Sequence, residues 1–196
     1  TPISLTPIAH QTTPLPAGLL PVCLIANGTQ GMSGLSTSYD SPTGQYSIRR
    51  SEFSSAGFLL NTSTLIESIA SLPEIRCEPT RVALLTSYSA PSVIPRELTM
   101  LDSSLAIQWQ VPIPRSVFHR LIAIGRNGEA LLQLVESTSQ TTSHLHRFSA
   151  QGSLTIMPNV GASSAAFDIS SALYLTRKQQ LSDGARLQVA KFANNN

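Results

Sequence analysis

Two histidines, His144 and His146, lie two positions apart in a stretch with the composition of a β-strand. Alternate residues of a strand project from the same face, so the two imidazoles could share one metal ion. Histidine nitrogen is a common zinc ligand, and a zinc site needs at least three protein ligands. No third ligand is visible nearby in the sequence, so a solvated strand face stays open as the alternative.

Three further polar residues lie beside strands that would line the inside of a ring of sheets. Arg115 and His119 flank the entry to an apolar strand, and Asp168 lies in an Ala-rich strand. Loops that enter inner strands lie at one mouth of a central channel, where scaffolds place their binding residues. We therefore expect Arg115 and His119 to contact a ligand. Asp168 could point into the channel or could accept hydrogen bonds from neighbouring backbone amides.

The sequence lacks the short motifs that accompany catalysis. It contains no G-x-S-x-G nucleophile motif, no glycine-rich phosphate loop and no H-E-x-x-H metal motif. Serine is abundant, so a hydrolase stays open as the least favoured alternative. The sequence predicts a protein that is not an enzyme and that holds no cofactor.

Cys23 and Cys77 are the two cysteines of the chain. Their spacing matches no zinc or redox pattern, so they form either one disulfide or two free thiols. A disulfide would favour an oxidising compartment outside the cytoplasm. The repeat described below places the two residues at different heights on neighbouring units, and both states therefore stay open.

Composition excludes several classes of partner. Charged residues make up 12% of the chain and the formal net charge is +2, too little to favour nucleic acid or an anionic membrane. No apolar run approaches the roughly 18 residues of a membrane span, so we expect no membrane insertion. Low charge, abundant serine and threonine, and few lysines favour an exported protein that is extracellular, cell-surface or periplasmic. Because the chain begins at Thr1, we expect a processed form or a fragment.

The elements that must position these residues are predicted to be β-strands throughout. Short alternating apolar runs, such as Arg81 to Tyr88 and Leu105 to Val111, are separated by clusters of Gly, Pro, Asn and Ser. Four apolar anchors each end a strand before a polar turn, and they lie 48, 47 and 44 residues apart: Phe53, Leu101, Phe148 and Phe192. Glycine closes the first and third of these turns, and Ser104 is taken as its replacement in the second.

The repeat divides the chain into four units, at residues 19–65, 66–113, 114–159 and 160–196. The third unit predicts four antiparallel strands, and its Arg126-Asn127-Gly128 segment carries a hairpin signal. Four-stranded units repeated around an axis predict an all-β fold, a β-propeller of about four blades in a single domain. The fourth unit has three strands, and residues 3–8, which resemble the outer strand of the third unit at Gly152 to Ile156, could supply the strand that it lacks. This segment would close the ring; otherwise the chain is a fragment of a larger propeller.

Two segments of the third unit, Asn127 to Leu134 and His144 to Leu154, resemble bacterial propeller repeats of the delta-60 type. Leu187 to Asn196 is similar, with Lys191-Phe192 as the basic and apolar pair. The second unit departs from the pattern because Met100-Leu101 has no basic residue. The resemblance implies a propeller in an exported bacterial protein, without a common activity or shared catalytic residues.

The favoured function is a structural or protein-interaction module of an exported or cell-surface assembly, because a repeat scaffold here carries no catalytic motif. The alternative is a propeller that binds a carbohydrate or another small ligand near Arg115 and His119. Trp109, the one tryptophan, could serve as a sugar platform or could pack between blades. Protein partners and a larger assembly are expected.

Overall fold

The computed structural model describes residues 20–26, 31–87, 96–113, 118–135, 143–158, 160, 162–181 and 184–192. All of its regular elements are β-strands, and within each sheet a strand pairs antiparallel with its neighbours in the sequence. Within these residues no helix is long and apolar enough to cross a membrane.

The strands form four separate sheets that follow one another along the chain. Sheet 1 contains β1 (Leu20–Ala26), β2 (Gly31–Asp40), β3 (Gln45–Ser54) and β4 (Leu59–Ile69). Sheet 2 contains β5 (Glu74–Glu78), β6 (Arg81–Ser87), β7 (Arg96–Asp102) and β8 (Ile107–Ile113). Sheet 3 contains β9 (Phe118–Ile124), β10 (Ala130–Val135), β11 (Ser143–Phe148) and β12 (Leu154–Met157). Sheet 4 contains β13 (Ser164–Phe167), β14 (Leu173–Leu181) and β15 (Gly184–Phe192).

The strands expected in the third unit are confirmed by sheet 3, including the turn at Asn127-Gly128. In sheet 1, β4 continues to Ile69, past the boundary expected at residue 65. Irregularities in the β3–β4 register re-aim the last residues of β4, so that Ile69 enters the core. Sheet 4 has three described strands, and the strand expected at residues 3–8 lies outside the described residues.

One turn geometry recurs at five hairpins, and it explains the repeat seen in the sequence. In each, the first N–H donates to the carbonyl four residues later, and the fourth N–H donates back to the first carbonyl; the turns span residues 54–58, 102–106, 125–129, 149–153 and 168–172. The fourth residue has a positive φ, the conformation that favours glycine. Gly57 and Gly152 occupy it in two of the turns that follow an anchor.

In the second unit this fourth position belongs to Leu105, with φ of 65°, and the assignment of Ser104 to it is wrong. A left-handed backbone costs a leucine roughly 1–2 kcal/mol. The Leu105 side chain is buried in the core between sheets 1 and 2, which stabilises the fold by about 1.5–3 kcal/mol. Burial therefore outweighs strain at this turn.

Consecutive sheets pack face to face through three apolar clusters. Strand β6 contains an unbroken apolar run, Val82 to Leu85, because both of its faces are covered. Val82 and Leu84 project into the cluster with sheet 1, while Ala83 and Leu85 project into the cluster with sheet 3. Because both faces of sheet 2 are covered, alternation cannot leave a polar face there.

The first strands of the sheets lie side by side and line the inside of the row. Strand β1 contacts β5, β5 contacts β9, and β9 contacts β13. The described strands do not close this row of sheets into a ring.

Candidate functional site

His119 lies where β9 begins, at the junction between sheets 2 and 3, and only 2% of its surface is exposed. Its Nδ1 atom is 3.2 Å from Nη1 of Arg96, which begins β7. A guanidinium has donors and no acceptor, so Nδ1 of His119 accepts this bond and the ring proton lies on Nε2. The sequence singled out His119 but missed Arg96, because strands β7 and β8 separate the two residues along the chain.

A cavity of about 140 Å³ opens beside this pair, at the mouth formed by the beginnings of β5, β7 and β9. It is lined by Ser71, Leu72, Glu74, Leu85, Ser87, Arg96 and His119. We call it the mouth cavity. Arg115, the other residue expected at this mouth, lies outside the described residues. The expected location of His119 at the entry of an inner strand therefore corresponds to a polar cavity.

Two side chains of β5 hold β9 in place beneath the mouth cavity. Oε2 of Glu74 accepts a hydrogen bond of 2.8 Å from the backbone N–H of Leu121, and Nε of Arg76 donates one of 3.3 Å to its carbonyl. Both backbone polar groups of Leu121 are thus satisfied by side chains of the neighbouring sheet. Sequence reasoning missed these residues, although their alternation with Ile75 and Cys77 on a short strand was a usable signal.

Asp168 binds the backbone of its own turn. It lies in the turn after β13, where its Oδ1 accepts bonds from the Ser170 amide (2.8 Å), the Ser170 hydroxyl (2.7 Å) and the Ala172 amide (3.0 Å). The Ser170 hydroxyl is the main cause that lowers the pKa of Asp168. Of the two roles expected for Asp168, the structure shows the acceptance of hydrogen bonds from neighbouring backbone amides.

Asp102 makes the same turn in sheet 2, where Oδ1 accepts from the amide and hydroxyl of Ser104 and from the amide of Ala106. Burial acts most strongly on its pKa and raises it, but these hydrogen bonds together outweigh burial and lower the pKa of Asp102 below its ordinary 3.8. The ionised form is therefore the one that stabilises the turn.

We expect Asp102→Ala to lower the free energy of unfolding at neutral pH by about 1 kcal/mol, as for loss of a backbone-capping side chain. Because the pKa is lowered in the folded state, this contribution is present above the ordinary pKa and is lost as the pH falls through the folded value. Urea unfolding at neutral pH and at about pH 2 measures the change. Asp102→Asn, which keeps the acceptor oxygen without a charge, is the control. An equal effect of Asp102→Ala at both pH values would contradict the explanation.

The two histidines of β11 remain on one face, opposite Leu134 and Leu132 of β10. His146 is buried and His144 is half-buried. Within the described part of the chain, no three His, Cys, Asp or Glu side chains come together to hold a metal ion.

Cys23 and Cys77 form a disulfide, with 6.3 Å between their Cα atoms. Each is the fourth residue of the first strand of its sheet, β1 and β5. The expectation that they lie at different heights is wrong, because the boundary between the first two units was placed within β4 rather than after it. The disulfide joins sheet 1 to sheet 2 at the inner edge of the row.

Trp109 lies in β8, the outermost strand of sheet 2, and is 8% exposed. Its ring stacks on Phe148 of sheet 3, with 6.0 Å between centroids, and its Nε1 donates a 3.2 Å hydrogen bond to the carbonyl of Gly128. A methyl group built on Gly152 would approach the indole within 3.2 Å. Trp109 thus packs between sheets, and its ring is not available as a sugar platform.

Comparison with known proteins gives the fold alone. No protein-family model and no curated protein matches the chain. Among solved structures, the chain is similar to the β-propeller domain of the Trilobed protease from Pyrococcus furiosus, a domain described as having an open velcro topology. The TM-score is 0.55 at 9% sequence identity, over 93% of this chain and 57% of that chain. The chain thus spans little more than half of the length of that domain's chain, and its sheets have the β-propeller fold.

Proposed function

We propose that this chain is a non-catalytic β-propeller module that binds another protein within an exported or cell-surface assembly. The observation that carries the proposal is the exposure of apolar side chains on the outward faces of the two terminal sheets. On sheet 4, Leu187 and Val189 are 68% and 63% exposed. On sheet 1, Leu24 is 62% exposed and lies against Gly34 and beside Phe53.

These residues project away from the rest of the row. Leu24 alternates in β1 with Cys23 and Ile25, which pack toward sheet 2, so it faces the other side of sheet 1. Val189 likewise lies on the face of β15 opposite to that of Phe192, which packs toward sheet 3. Exposed apolar surface at an unpacked face marks an interaction site. The partner we infer presents an apolar sheet face, because consecutive sheets of this chain already pack in that way.

The disulfide supports the exported location, since structural disulfides persist in oxidising compartments. The resemblance to delta-60-type repeats supports a bacterial source.

A competing arrangement closes the ring within the chain. Residues 3–8 would then become the outermost strand of sheet 4, in the register that β12 takes against β11. In that arrangement Leu5 would stand opposite Phe192, as Leu154 stands opposite Phe148. The three-stranded state of sheet 4 supports this arrangement, whereas similarity to only 57% of a longer propeller chain supports a larger ring.

Substitution of Leu187 by glutamate separates the two arrangements. If a partner covers sheet 4, the tagged wild-type chain should capture a stoichiometric partner from its native source, and tagged Leu187→Glu should not. The Tm of this variant should then equal that of the wild type. If the ring is closed within the chain, Leu187→Glu should instead lower the Tm of the isolated protein, because a charge would be buried. Ile107→Glu, on an outer strand of sheet 2 and equally exposed, is the matched control. A wild-type chain that captures no partner would overturn the proposal.

A further inference from the structure

We propose that the mouth cavity binds a small zwitterion of the α-amino acid type, with the ligand carboxylate on Arg96 and the ligand ammonium group on Glu74. This site is separate from the apolar faces of the terminal sheets, and it does not depend on partner binding. The inference rests on two side chains of opposite charge, Glu74 and Arg96, that line one small cavity and form no ion pair with each other.

Arg96 supplies the positive charge. Its side chain is half-buried at the beginning of β7, where His119 accepts one of its five N–H groups and fixes the guanidinium against the cavity. Among the described residues, Arg96 forms no ion pair, so no carboxylate lies within 4.0 Å of its guanidinium. A half-buried guanidinium of this kind favours a planar carboxylate, which can accept two parallel bonds.

Glu74 supplies the negative charge. Its Oε2 accepts the Leu121 amide, which orients the carboxylate at the beginning of β5. A carboxylate offers about four acceptor positions, so one bond leaves capacity for an ammonium group. No cation among the described residues lies within 4.0 Å of Glu74. The carboxylate is therefore held in place by the Leu121 amide, and among the described residues it forms no ion pair within 4.0 Å.

A ligand that carries both charges matches this wall better than one that carries either. An anion alone would leave Glu74 without a cation, and a cation alone would leave Arg96 without an anion, each at a desolvation cost. The volume of about 140 Å³ equals roughly that of four or five water molecules, which limits the ligand to the smaller amino acids. Leu72 and Leu85 offer a short apolar wall for the ligand's side chain.

Isothermal titration of the full chain with L-alanine, acetate, methylammonium and D-glucose tests the proposal. We expect alanine to bind with a Kd of about 1 mM or lower, and acetate and methylammonium to bind at least about tenfold more weakly. Glu74→Gln keeps an acceptor oxygen for the Leu121 amide but removes the charge. This variant should bind alanine at least about tenfold more weakly than the wild type does, while its affinity for acetate stays unchanged. Arg96→Gln should abolish both, and Arg50→Gln, on the surface of sheet 1, should change neither.

The wild-type panel decides the question even if a variant does not fold. Absence of alanine binding at about 10 mM would overturn the proposal. Acetate binding as tightly as alanine would show a simple anion site, and glucose binding in place of alanine would show a carbohydrate site; either result also overturns it. Partner capture by Arg96→Gln distinguishes the two proposals. If this variant still captures the partner, loss of amino-acid binding at the mouth cavity does not affect the protein-interaction function.

Discussion

Loss of the Cys23–Cys77 disulfide should lower the free energy of unfolding by about 4 kcal/mol, the loop-entropy estimate for a closed loop of this length. The two cysteines are separated by 54 positions, so the bridge removes much of the freedom of the unfolded chain. It also joins the first strands of sheets 1 and 2, which are not paired with each other through backbone hydrogen bonds. Urea unfolding of Cys23→Ser/Cys77→Ser beside the oxidised wild type measures the loss.

Reduction of the wild-type protein is the control for this double substitution. The reduced wild type and the double variant should unfold at nearly the same urea concentration, because serine is close to a thiol in size. A double variant as stable as the oxidised protein would mean that packing alone holds sheets 1 and 2 together.

Trp109→Ala should destabilise the protein by about 3–5 kcal/mol, as large aromatic deletions in cores do. The substitution removes the stack on Phe148, and it also leaves the Gly128 carbonyl without its indole donor between sheets 2 and 3. Because Gly152 lies directly beneath the ring, its backbone cannot move in to fill the cavity without disturbing a turn. Thermal and urea unfolding followed by circular dichroism measure the effect.

Trp109→Phe isolates the hydrogen bond from the packing. Phenylalanine keeps an aromatic ring against Phe148 but has no N–H donor, so we expect a loss of about 1–3 kcal/mol. If alanine and phenylalanine are equally harmful, the hydrogen bond rather than the packed ring dominates at this position.

The strand content and the repeat could be predicted because they depend on local signals. The anchors Phe53, Leu101 and Phe148 each end the third strand of a sheet, as their spacing indicated. The error at Ser104 has a physical cause, since a buried leucine tolerates a conformation that sequence rules assign to glycine. Such an exchange of strain for burial becomes visible only when the neighbouring sheet is in place.

The candidate site was predictable only in part. His119 could be found because it opens an apolar strand, and strand entries gather at one mouth of such a fold. Glu74 and Arg96 belong to other strands, and their meeting with His119 depends on how sheets 2 and 3 are placed beside each other. Asp168 was placed in an Ala-rich strand by the sequence, whereas it lies in the turn that follows that strand and accepts backbone hydrogen bonds there.

The disulfide makes the two terminal sheets unequal. Sheet 1 is tied covalently to sheet 2, whereas sheet 4 is held to sheet 3 by packing and by noncovalent contacts such as the bond from Arg147 to the Ser171 carbonyl. Opening of the native state should therefore begin at one end and proceed in one direction, with amide protons of β14 and β15 exchanging before those of β2 and β3. We thus expect the single covalent bond between sheets 1 and 2 to set the order in which the sheets open.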